Sequence, residues 1–213
     1  MRFLCFHGEG TNSKFVEGCM PMPMWPDIRE AADADDGFFG YFTSGASYTT
    51  AARQLDAYLA AEGPFDGVLA FSMGAAFVST YIANAYMYHD RAGHEYAGEH
   101  QQRPEAARAF KCAVFLSPVG GVFAEAAPGG QGDEGWLLDA DVDGEVIPIP
   151  TANIWGSNDR LCNAEAVSRL CASGVREVYV HEGVHEVPGA RMPDAVKASV
   201  RVIRRVVATA SRQ

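Results

Sequence analysis

The chain has 213 residues, 48% of them hydrophobic and 21% charged, with a formal net charge of −10. That length suits one domain with a full core, and that composition excludes a disordered chain. The acidic balance excludes a nucleic-acid binder, which needs a basic footprint, and no apolar run approaches the ~20 residues of a membrane span.

The first ten residues hold a five-residue apolar stretch, too short for the core of a signal peptide, so a cytoplasmic protein is expected. Five cysteines (Cys5, Cys19, Cys112, Cys162 and Cys171) contain no CxxC pair and read as free buried thiols. Residues 2–6 (RFLCF) read as a buried strand stopped by Gly8 and Gly10. Residues 20–26 (MPMPMWP) cannot form an interior helix, because proline lacks the N–H donor and fixes φ. Residues 33–37 read as a loop, and behind it Phe38, Phe39, Tyr41 and Phe42 either line a pocket or cover the core edge. A helix is predicted over 47–62, with Ala51, Leu55, Tyr58 and Leu59 inward, ended by Gly63-Pro64. Residues 68–71 form a second strand, followed by a helix from 73 to about 88 that is apolar nearly all round.

Residues 89–108 are polar, hold His89, His94 and His100, and read as a solvated insertion. A third strand is predicted over 113–116, a long loop or lid over 118–147, a fourth strand over 152–155 and a helix over 164–171. A fifth strand follows at 175–180, and the last helix, about 193–209, is expected to bury Val196, Val200, Ile203 and Val207. Strands alternating with helices predict a single α/β domain with a mostly parallel sheet and helices on both faces.

Residues 68–75, VLAFSMGA, have the order strand, small-x-Ser-x-Gly, helix. This is the nucleophile-elbow pattern with Ala70 at the first glycine position. The turn is tight, so small residues two before and two after Ser72 avoid a clash with it. Ser72 then sits at a helix N-terminus, where free N–H groups and the dipole favour negative charge. The N–H of Met73 is one expected oxyanion donor, and the backbone of Glu9 in His7-Gly8-Glu9-Gly10 is the other. Asp159 follows the fourth strand in WGSND, and His185 follows the fifth. The chain order Ser72, Asp159, His185 is that of α/β-hydrolases. In those roles Ser72 attacks, His185 moves the proton, and Asp159 fixes the His185 tautomer. Read singly, Ser72 is also a helix cap, the glycines a plain turn and Asp159 a turn residue. No cofactor or metal is required. Residues 181–185, HEGVH, match the zinc motif HExxH literally, but that site needs a helix, and Gly183 and Pro188 oppose one.

These residues resemble the FSH-type family of serine hydrolases, most closely the fungal stand-alone thioesterases and esterases of polyketide pathways. The resemblance is carried by residues 6–14 (FHGEGTNSK), 63–75 (GPFDGVLAFSMGA) and 181–188 (HEGVHEVP). It implies the α/β-hydrolase fold, cleavage of an acyl ester or thioester, and the triad roles for Ser72, Asp159 and His185. In the polyketide reading the substrate is a small-molecule acyl compound, with an acyl carrier protein, coenzyme A or a free ester as the alternative donors. A general small-ester carboxylesterase and a non-catalytic binding protein of the same fold are the alternatives. The chain departs from the family at Ala70, where glycine is usual, and at Met73, where glutamine is. After Lys14 it runs straight to Phe15-Val16-Glu17-Gly18, where the family has a helix and the start of another strand. The expected result is a fold reduced near the N-terminus. Its exposed face would be covered by residues 19–40 or by a second copy in a homodimer, and its pocket would be wider.

Overall fold

The computed structural model describes residues 1–10, 18, 20–24, 37–92, 110–125 and 135–212, with only the backbone over 88–92. The expectations for Cys19, His89, His94, His100, most of 33–37 and most of 89–108 therefore lie outside the described side chains.

Five parallel strands form the sheet in the order β1 (Phe3–Phe6), β4 (Gly67–Phe71), β5 (Cys112–Leu116), β8 (Thr151–Gly156) and β9 (Arg176–His181). These are the five predicted strands, each within two residues of its expected limits. The central strand β5, CAVFL, is buried at every position, the near-continuous apolar run expected of a parallel strand covered on both faces. Two short antiparallel pairs lie apart from the sheet: β2 (Met20–Pro21) with β3 (Phe39–Gly40), and β6 (Phe123–Ala124) with β7 (Trp136–Leu137). The second pair and a four-residue helix, α3 (Ala140–Asp143), replace part of the long loop expected at 118–147.

Helix α1 (Gly45–Glu62) starts two residues before its expected limit because Ser44 caps it reciprocally with Ser47. Its inner face is Tyr48, Ala51, Ala52, Leu55 and Leu59, while Tyr58 is 40% exposed and stacks on Phe65 instead of entering the core. Helix α2 (Met73–Ala92) follows β4 directly and packs against it. The aromatic cluster resolves towards the core for Tyr41, which is buried and stacks on Phe77 with centroids 5.1 Å apart. Helix α4 (Ala164–Arg169) is shorter than predicted, and helix α5 (Pro193–Ala210) closes the fold.

The sheet faces are clad unequally. On one face Leu4, Phe6, Val68, Ala70, Ala113 and Phe115 join residues of α1, α2 and α4 in the main core. On the other, Cys112, Val114, Leu116, Ala152 and Ile154 pack under α5. Over β1 and β4 that second face is less fully covered by the described residues: Phe3, Cys5, Leu69 and Phe71 are only partly buried. An apolar groove of about 450 Å³ lies there, with Cys5, Leu69, Phe71, Val196, Val200 and Ile203 among its walls.

This groove corrects the reading of the last helix. The buried stripe of α5 is Ser199, Val202, Val206 and Ala210, and Val200 is 38% exposed. The valine and isoleucine stripe lies one position later: Val196, Val200 and Ile203 border the groove, and Val207 is partly buried. The cysteines also divide: Cys112 and Cys171 are free and buried, but Cys5 and Cys162 are partly exposed. No helix among the described residues is long and apolar enough to cross a membrane.

Candidate active site

Ser72 stands between the last residue of β4 and the first of α2 with φ 55°, the left-handed backbone that a sharp strand-to-helix turn demands. Neighbouring strands hold it there. Its N–H donates to the Leu116 carbonyl (2.9 Å), and its own carbonyl accepts from Ala75 and Ala76 (3.1 and 3.2 Å). The reason for Gly74 is steric: a β-carbon there would collide with the His7 carbonyl oxygen, which instead accepts the Gly74 N–H at 3.1 Å. Gly8 is close-packed too, though less severely, since a β-carbon would stand 3.2 Å from both the Phe71 ring and the Ser72 β-carbon. The turn after β1 is thereby pressed against the turn that carries Ser72.

Asp159 and His185 come from the loops after β8 and β9, which are tied together by three hydrogen bonds. Ser157 N–H donates to the His181 carbonyl (2.7 Å), Asn158 N–H to the Gly183 carbonyl (3.1 Å), and the Asn158 side chain to the Glu182 carbonyl (2.6 Å). The Asp159 side chain is fully shielded from solvent. Its Oδ1 accepts the N–H groups of Leu161 (3.0 Å) and Cys162 (3.1 Å), leaving Oδ2 for His185 Nδ1 at 2.7 Å. On the other side of the ring, His185 Nε2 lies 2.9 Å from Ser72 Oγ. With Nδ1–H donated to the carboxylate, Nε2 is the acceptor for the Ser72 hydroxyl proton. The Phe71 ring packs against the imidazole, centroids 5.1 Å apart. Burial raises the Asp159 pKa, but the His185 and Leu161 hydrogen bonds and the His185 charge together outweigh it and hold the carboxyl below its usual value.

The three side chains expected from the sequence thus form one hydrogen-bonded chain. Of the two expected backbone donors, Met73 is the first residue of α2, so its N–H has no intrahelical partner. Glu9 lies in the turn after β1. There the preceding carbonyl, of Gly8, faces His7 Nδ1 at 2.6 Å. A trans peptide directs its N–H opposite its C=O, so the Glu9 N–H faces away from His7. Residues 181–185 are a strand end and a turn, not the helix that paired zinc ligands need.

Sequence reasoning missed the supports. His7 was read only as part of a turn, yet it is buried. Its Nε2 accepts the Gly18 N–H (2.9 Å), and its backbone N–H donates to the Tyr41 hydroxyl (3.0 Å). No spacing marks these partners, which lie 11 and 34 residues away.

A serine on a nucleophile elbow, at the carboxyl ends of a parallel sheet and in line with histidine and aspartate, defines the class of α/β-hydrolases. Solved structures agree on the fold. A carboxylesterase from Mesorhizobium loti superposes with a TM-score of 0.51 at 16% identity, covering 95% of this chain and 88% of that one. A monoacylglycerol lipase from Paleococcus ferrophilus gives 0.52 at 12% identity, covering 95% and 94%. The FSH1 serine hydrolase family model matches residues 14–194, so the chain belongs to that family and is a serine hydrolase. Among its relatives, Esterase FPY3 of Fusarium mangiferae is 32% identical over 99% of this chain and 98% of its own length. Hydrolase phiM of a fungal species is 23% identical over 88% of this chain and 86% of its own length.

Proposed function

We propose that Ser72 is the nucleophile, His185 the general base and acid, and Asp159 the residue that orients and charge-stabilises His185, in the release of an acyl group from a thioester or ester. The unbroken hydrogen-bond chain from Ser72 Oγ through His185 to Asp159 carries this reading. Attack by Oγ on the acyl carbonyl passes the hydroxyl proton to Nε2, which delivers it to the departing thiol or alcohol. Water, deprotonated by the same nitrogen, then cleaves the acyl-enzyme and regenerates Ser72. The N–H groups of Met73 and Glu9 bind the oxyanion, each contributing on the order of 3 kcal/mol.

The acyl group we favour is a polyketide-type chain, delivered as a small molecule or on an acyl carrier protein in the cytoplasm. The resemblance to fungal stand-alone thioesterases supports it. The designation of the Fusarium relative as an esterase favours a second reading, in which oxygen esters are the main substrates.

A fluorophosphonate probe followed by intact mass tests the roles: one label on the parent and none on Ser72→Ala is expected. Equal labelling of both would remove Ser72 from the chemistry. A matched pair of substrates, one acyl group carried as a p-nitrophenyl ester and as an N-acetylcysteamine thioester, then separates the two readings by their kcat/KM.

A further inference from the structure

His181 is the half of the HEGVH motif that the proposed chemistry leaves unused. It ends β9 and is 3% exposed. Its Nδ1 accepts the Gly183 N–H at 3.1 Å, so in the neutral ring the proton sits on Nε2. That Nε2 is buried with no partner among the described residues. An apolar side chain would avoid this unsatisfied donor, so the Nδ1 acceptor is the feature that recommends histidine here.

The turn after β9 is wrapped closely on this ring. A β-carbon at Gly183 would stand 2.8 Å from His181 Nδ1 and 2.8 Å from Glu186 Oε1. The same three residues, His181, Glu182 and Gly183, offer the carbonyls that bind Ser157 and Asn158 beside Asp159. Two residues after Gly183, His185 bridges Ser72 and Asp159.

We infer that His181 is a positioning residue for the proposed reaction: its Nδ1–Gly183 hydrogen bond holds the 182–185 turn so that His185 meets Ser72 and Asp159 together, and it does so only as the neutral ring. The inference rests on the functional reading above for its consequence, and on geometry alone for the hydrogen bond. A proton on Nδ1 would face the Gly183 N–H donor to donor and open the turn. Burial is the largest influence on this ring and disfavours its charged form, against the attraction of Glu186 on the same turn and Asp159 on the adjacent loop. The net shift is downward, which keeps the ring neutral at pH 7. Tyr179, on the same strand, has its ring 6.4 Å away. Helix α5, packed on β9, leaves Arg201, Arg204 and Arg205 exposed, and Arg205 pairs with Glu177 at 2.8 Å.

The test compares the parent, His181→Leu and His181→Asn by fluorophosphonate labelling rate and Gly183 amide exchange from pH 5 to 8. His181→Leu is expected to label about 10²-fold more slowly, the cost of a misplaced catalytic group, and to lose protection at Gly183. His181→Asn, whose Oδ1 offers an acceptor near the place of Nδ1, is expected to restore both. On the acid side the parent loses activity with two protons and His181→Asn with one. Parent-like labelling and Gly183 protection in His181→Leu would overturn the inference. If His181→Leu does not fold, a two-proton acid limb in His181→Asn overturns it instead, and a one-proton limb supports it. A folded parent that never labels refutes the hydrolase roles on their own account. Gly183 protection in His181→Leu then still decides whether His181 holds the turn.

Discussion

The two halves of the sheet are built differently, and the candidate site straddles them. Strands β5 and β8 are covered on both faces: Cys112, Val114, Ala152 and Ile154 are all within 1% of complete burial under α5. Strands β1 and β4 are well covered on one face, with Leu4, Val68 and Ala70 buried, while Cys5, Leu69 and Phe71 border the groove on the other. Asp159 hangs from the covered half and Ser72 from the half-covered one. Ser72 nevertheless keeps its strained backbone, because its restraints come from the core side and from strand neighbours: Leu116, His7 and α2. Local order at such a site needs dense restraint on the turn itself, not cover over the whole sheet.

The largest effects break the link between the halves. Ser72→Ala is expected to lower kcat by about 10⁶ and Asp159→Asn by about 10⁴, with the fold intact by circular dichroism. A fall of less than tenfold in either would remove that residue from the proposed roles. Next comes the contact between the turn after β1 and α2. Gly74→Ala forces a β-carbon into the His7 carbonyl, so unfolding in urea should show a loss of about 1–3 kcal/mol and a matching loss of labelling. The cladding itself is tested by a pair. Ile154→Ala, 1% exposed under α5, should cost about 2–5 kcal/mol, whereas Leu69→Ala on the groove should cost about half as much. Equal costs would mean that the groove side is as well packed as the rest.

The smallest effect is in pH. The folded-state pKa of Asp159 is held down, so its ionised form adds stability above the unfolded value of about 3.9. That contribution is lost as pH falls through the lower, folded value. The difference in urea midpoint between the parent and Asp159→Asn should therefore be constant near neutrality and shrink below about pH 4.

Much of this was legible in the chain. The strands are short apolar runs, and the elbow is legible because its strand, serine and small residues are contiguous, although the clash that demands Gly74 is with the distant His7 carbonyl oxygen. Asp159 and His185 were found by their order after the last two strands. The misreadings have one cause. For α5, valine and isoleucine mark a plausible stripe, but the buried stripe is Ser199, Val202, Val206 and Ala210, and Val196, Val200 and Ile203 border the groove. Tyr58 was placed inward by spacing, but Phe65 offers its ring a surface outside the core. A helical period tells which residues share a face, not what stands opposite that face.

By itself, the sequence determined the fold class, the strand order along the chain and the three side chains of the site, because each depends on local pattern and on order. Only the tertiary structure decided which carbonyl binds the Ser72 N–H, how the loops after β8 and β9 are tied together, and where the sheet is left open. Those are contacts between segments tens of residues apart. Their partners are chosen by packing geometry, which leaves no periodic trace in the chain.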